Sequence, residues 1–213
     1  MNKLPYAEIQ SGLQTGDLIL FSGQYEISKK VEKLEGSPWS HVAMAVRLPE
    51  FQYPLLWEST ALTDLPDETY QDHIPGPKLV KLEDRLRSYG SDVVPYVPPR
   101  YAVRPLVMDR TTEMLDALRH LFTEIHGLPN PGQWEMIWEV ALGRLFHIRS
   151  QQDNYTCSEL VAESYIRMGL LSQDSVVNGF MPKDFSSDGN LELLKGRFGE
   201  EIEISLDPEK EPV

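Results

Sequence analysis

The chain has 213 residues, of which 20 are Lys or Arg and 33 are Asp or Glu, for a net charge of −13. That charge repels phosphate backbones and anionic lipid surfaces and argues against nucleic-acid binding by bulk charge. An apolar share of 41% beside 25% charged residues, with seven Phe, four Trp and nine Tyr, is the make-up of a globular chain and excludes a disordered one.

The length fits a single domain over 1–213. The longest apolar runs, such as Leu18–Phe21, are far too short to span a bilayer, so no integral membrane segment is expected. Residues 1–12 lack the basic flank and apolar core of a secretory signal, and a lone cysteine cannot form an intramolecular disulfide. Both point to a cytoplasmic, reducing compartment.

Gly and Pro punctuate the whole length without repeats, which favours an α+β unit. Asp17–Phe21 reads as the first strand, and Ile27, Val31 and Leu34 define one face of a helix stopped by Gly36. A second strand is expected at Ser40–Arg47, where Val42, Met44 and Val46 alternate, and a third at Leu55–Ser59. Pro66, Pro75, Gly76 and Pro77 argue against a long element in 60–95. A fourth strand is expected at Arg100–Val107. A helical elaboration over 107–150 then carries one apolar face at Met114–Ile125 and another at Trp134–Phe146. A last helix starts at Cys157. Glu201–Ser205 reads as an edge strand before an acidic tail at 206–213.

The most informative stretch is Asn154–Val161. Thr156 and Glu159 have capping-box spacing, which sets Cys157 at the first helical position. Unpaired N–H groups and the positive end of the dipole there favour a thiolate, and the Cys157 N–H is a ready donor to an oxyanion. The dipole contributes only about 0.3–1 kcal/mol, so a reactive thiolate needs a base as well. Without one, Cys157 is an ordinary small core residue.

Among five histidines, His120, His126 and His147 sit on polar faces or helix ends and read as structural; His73 lies in a Pro-rich loop with its role open. His41 opens a strand and points away from Val42, Met44 and Val46. A hairpin centred on Pro49-Glu50 sets Glu58 opposite His41, where a carboxylate fixes the imidazole tautomer or forms a plain cross-strand ion pair. Cys157, His41 and Glu58 together make a nucleophile, a base and an orienting group. Trp39 and Trp57 flank His41 and Glu58 in sequence and either line the pocket or fill the core; Tyr155 is a further candidate beside the oxyanion. The sequence carries no helical His pair, no Cys-rich cluster and no Gly-rich phosphate loop, so neither metal nor cofactor is expected.

Thr15–Phe21, Ser40–Met44, Trp57–Ser59 and Cys157–Val161, with Met181–Phe185 after them, resemble the circularly permuted NlpC-type papain-like cysteine hydrolases of the YiiX/YebB type. The resemblance spans about 13–186. It implies a small antiparallel barrel or sheet packed on a Cys-bearing helix, with Gly16-Asp17 as a structural motif beside the site. It also implies Cys157 as nucleophile, His41 as base and Glu58 as the third polar residue, cleaving a peptide, amide or acyl-ester substrate through an acyl-enzyme. Two alternatives stand beside this: a thiol acyltransferase or lipid-ester hydrolase of the lecithin retinol acyltransferase-like type, and a non-enzymatic binding module on the same fold.

Overall fold

A computed structural model describes residues 2–130 and 154–206. Among these, β1 (Asn2–Pro5), α1 (Tyr6–Ile9), β2 (Leu18–Ser22), α2 (Glu26–Glu35), β3 (His41–Val46) and β4 (Leu55–Thr60) come first. They are followed by β5 (Gly76–Lys81), α3 (Leu82–Ser88), β6 (Arg100–Arg104), β7 (Leu106–Val107) and α4 (Thr112–Glu124). The chain ends with α5 (Cys157–Arg167), β8 (Arg197–Phe198) and β9 (Ile202–Ser205).

The fold is α+β: a seven-stranded sheet in the order β1-β9-β6-β2-β3-β4-β5, packed against helices and not closed into a barrel. All neighbours are antiparallel except β1 and β9. The central strands β2, β3 and β4 are buried along their whole length because both faces are covered. Leu20, Val42, Met44 and Trp57 face α4 and α5, against Leu118, Leu121, Leu160 and Val161. Phe21, Ala43, Leu56 and Val80 face the other way, against Leu82 and Leu86 of α3 and Tyr89. Each fully buried Leu, Val or Phe contributes roughly 1.5–3 kcal/mol, so the two cores together fix the sheet.

Four expectations change. The prolines of 60–95 do not prevent regular structure: β5 and α3 lie there, and Pro77 is tolerated because β5 is an outer strand of the sheet. Pro105, with no N–H to offer, ends β6, and the two residues after it pair with β8 in a separate ribbon. β9 is not an edge strand, because β1, formed by residues assigned to no element, pairs along its outer side. The β3–β4 register pairs Met44 with Trp57 and Val46 with Leu55, two residues away from a hairpin centred on Pro49-Glu50. A shift of two preserves the faces, so His41 and Glu58 still share one, as diagonal neighbours. The expected helix at 134–147 lies outside the described residues.

At the start of β5, Gly76 adopts φ +113°, and a side chain there would collide with the Leu128 carbonyl. Gly76→Ala is expected to lose more than about 1 kcal/mol of stability, read as a lower urea midpoint at unchanged slope.

Candidate active site

α5 begins as its sequence dictates. The Glu159 N–H donates to Thr156 Oγ1 (3.2 Å), and the Thr156 N–H donates to Glu159 Oε2 (2.8 Å), closing a capping box. Cys157 is the first residue of the helix and is half-buried. At the far end, the Tyr165 hydroxyl donates to the Gly16 carbonyl (2.6 Å) and ties the helix to the turn before β2.

His41 is the first residue of β3 and is buried. The Phe21 ring meets it edge-on at 5.1 Å, and Tyr89 lies nearly parallel to it at 6.0 Å. Its Nε2 faces Glu58 Oε2 at 3.3 Å. That leaves the other ring nitrogen free of Glu58, and the imidazole and Cys157 border one cavity and are coupled by charge. The structure therefore brings together the three residues that the sequence singles out.

Beyond them lies a charge network. Glu58 is fully buried, and its Oε1 accepts from Arg85 Nε at 2.7 Å. Arg85, also fully buried, donates through Nη1 to both oxygens of Asp64 at 2.9 Å and to Ser88 Oγ at 3.2 Å. Lys78 pairs directly across from Glu58 in the β4–β5 ladder and donates to the Leu62 carbonyl (3.0 Å).

These charges set the protonation states. Burial alone would raise the Glu58 carboxyl, but Arg85 and His41 outweigh it and hold the group below its ordinary value. Burial alone would lower His41, yet Cys157 and Glu58 push it up to about 9. Burial alone would raise the Cys157 thiol, and His41, the Val42 N–H and Ser158 bring it below its ordinary value. The coupling shifts the pair toward an imidazolium beside a thiolate.

The sulfur and the imidazole border a cavity of about 410 Å³, whose polar wall includes Ser40, Ser59, Thr156 and Asn130. Asn130 Nδ2 donates to Ser59 Oγ (3.1 Å) and to the Tyr155 carbonyl (3.2 Å), and the Tyr155 N–H donates to the Pro129 carbonyl (3.2 Å).

The three aromatic candidates sit elsewhere. Tyr155, Trp39 and Trp57 are buried in the core on the α5 side and do not line the cavity. Trp57 Nε1 donates to Ser164 Oγ (3.1 Å), and its ring packs on Phe122 at 4.5 Å. The Arg100 guanidinium lies over the Trp39 ring at 5.9 Å. Large rings beside a strand start fill the sheet–helix interface more readily than a solvent-facing pocket. Gly16-Asp17 is likewise not beside the site. It precedes β2, whose far residue Phe21 pairs with His41, roughly 16 Å along the strand. Asp17 is structural there, accepting from the N–H groups of Gln14 (2.9 Å) and Leu106 (2.8 Å) and from Arg110 (3.1 Å). His126 pairs with Asp72 (3.0 Å), and His73 Nδ1 contacts the Thr63 carbonyl (2.9 Å). His147 lies outside the described residues.

Sequence reasoning missed Arg85, Asp64 and Tyr89. The signal for Arg85 was present: Leu82 and Leu86, one turn apart, place Arg85 on their buried face, and Glu83 and Arg87 form an i,i+4 pair.

No known family model matches the chain, and no curated protein matches it. Among solved structures, the chain is similar to the crystal structure of the metalloprotein YiiX from Escherichia coli O157:H7. The two share 20% identity with a TM-score of 0.47, over 72% of this chain and 64% of that one. The chain thus spans less than two thirds of that neighbour's length. Among the described residues, no group of three or more His, Cys, Asp or Glu side chains is arranged to hold a metal ion, and no helix is long and apolar enough to cross a membrane.

Removing Arg85 strands a buried carboxylate. Arg85→Met is expected to cost on the order of 3–5 kcal/mol at neutral pH. Glu58 and Asp64 are held below their ordinary values, so their contribution is present above the usual carboxylate range and is lost as the pH falls through their folded values. The gap in urea midpoint between wild type and Arg85→Met should therefore narrow on acidification.

Proposed function

We propose that the protein is a cysteine-dependent hydrolase that cleaves an amide or peptide bond through an acyl-enzyme on Cys157. The observation that carries this reading is the charge-coupled Cys157–His41 pair, with Glu58 holding the second ring nitrogen. A buried cysteine that only packs does not need an imidazole, and an imidazole that only pairs with Glu58 does not need a thiol at a capped helix start.

The Cys157 thiolate attacks the carbonyl carbon, forming a C–S bond and a tetrahedral oxyanion. The first-turn N–H of Cys157 has no intrahelical partner and donates to that oxyanion. As the C–N bond breaks, the His41 imidazolium gives its proton to the leaving amine. His41, now neutral, takes a proton from water, which attacks the thioester; the acid product departs, and the proton returns the pair to its resting state. Glu58, anchored by Arg85, keeps the ring orientation and favours the imidazolium throughout. An ester follows the same course with an alcohol leaving, and a nucleophile other than water would make the step an acyl transfer. A His-bearing strand before a Cys-bearing helix, on a sheet packed against that helix, agrees with the order that the sequence resemblance to permuted papain-like hydrolases implies.

Two measurements test this. Cys157→Ala is expected to abolish turnover of small activated esters and amides with its melting temperature within a few degrees of wild type; retained turnover in a clean preparation overturns the reading. Iodoacetamide labelling of Cys157 should stay fast well below the ordinary thiol value of 9.0 in wild type. It should slow at least about tenfold at neutral pH in His41→Ala, because only the Val42 N–H and Ser158 then oppose burial of the thiolate. Equal labelling rates would show that His41 does not activate the sulfur. Turnover should fall as the pH rises through about 9, where His41 loses the proton the leaving group needs.

A further inference from the structure

The cavity beside Cys157 has polar and apolar lining. Its apolar share comes from Tyr25, Ile27, Val31, Ala61, Leu62 and Tyr89. Ile27 and Val31 are one helical turn apart on α2, so they present a continuous aliphatic strip. The two tyrosines contribute rings rather than polar tips. The Tyr25 hydroxyl donates to Asp92 (2.7 Å), and the Tyr89 hydroxyl is engaged with Ser28. Among the described residues, Glu26 is the one Asp, Glu, Lys or Arg on the walls beside the Cys157–His41 pair. Among the described residues, no Lys or Arg lines the cavity to receive a carboxylate or phosphate, and both Glu26 and the net charge of −13 repel one. A volume of about 410 Å³ falls within the range of small-ligand pockets.

We propose that this cavity is a specificity subsite that takes an uncharged apolar group carried next to the scissile carbonyl, and that it discriminates against anionic groups. The inference rests on Cys157 being the reacting group. The apolar group has two chemical sources, a medium-length acyl chain or an apolar amino-acid side chain, which share the same requirement for the wall. Each methylene removed from water is worth about fourfold in affinity, so burying even two of them gives more than tenfold.

The test uses the full chain carrying Cys157→Ser, so that binding is read apart from turnover. Calorimetry compares N-octanoylglycinamide and N-acetylphenylalaninamide with N-acetylglycinamide and N-succinylglycinamide. The subsite predicts at least about tenfold tighter binding of one or both apolar compounds than of the acetyl one, with the succinyl compound weakest. The octanoyl compound in front indicates an acyl-chain substrate, and the phenylalanyl compound a peptide. Ile27→Glu should erase the preference, whereas Leu34→Glu, exposed near the end of the same helix and not lining the cavity, should leave it intact. Should Ile27→Glu melt early, Leu62→Glu, on another segment that lines the cavity, serves the same purpose. Equal binding of all four compounds, preferred binding of the succinyl one, or a preference that survives both wall variants overturns the subsite. If the binding preference holds but the wild-type protein forms no acyl adduct and turns over no octanoyl ester, the thiol chemistry falls and the subsite stands.

Discussion

A fully buried carboxylate at the middle of the molecule governs everything around it. Glu58 sits between two cations, Arg85 on one oxygen and His41 on the other. An unpaired carboxylate there would take up a proton to escape the cost of burial. The guanidinium prevents this by a short, charge-assisted hydrogen bond and leaves the second oxygen for the imidazole. His41 is thereby made a stronger base than a free histidine, and it passes the effect on to the sulfur. The same pairs thus serve the packing of β4 against α3 and the ionisation of Cys157.

The site lies where two demands of the fold meet. The sheet is covered on both faces, so a polar residue on β3 is tolerated only at a strand end or when fully partnered. His41 satisfies both conditions, since it opens the strand and has Glu58 at its ring. α5 packs its apolar side on one face of the sheet, which leaves its N-terminal residue near the strand start, beside His41 and the Val42 N–H. Long-range pairing brings residues 41, 58, 85 and 157 together with no short motif joining them.

How much of this was legible varies with the range of the interaction. The helix start at Thr156 and Cys157 is local chemistry, and its capping box could be read from two residues. The shared face of His41 and Glu58 survived a register two residues off, because strand faces repeat every second position. Arg85 was hidden because the surrounding prolines suggested irregular chain, although an outer strand accepts proline. Trp39, Trp57 and Tyr155 were ambiguous for a different reason: proximity in sequence to a reacting residue says nothing about the side of the sheet on which a ring lies. The apolar wall of the cavity draws on α2, the stretch after β4 and Tyr89, a convergence that only the assembled fold reveals.

The contacts between Asn130 and Tyr155, and between Tyr155 and Pro129, pin the chain to itself just before and just after residues 131–153. The entropy of bringing these two segments together is met locally, by backbone and amide groups at the wall of the cavity. The fold thus joins two segments distant in sequence within a few residues of Cys157, by contacts separate from those that place β3 and α5.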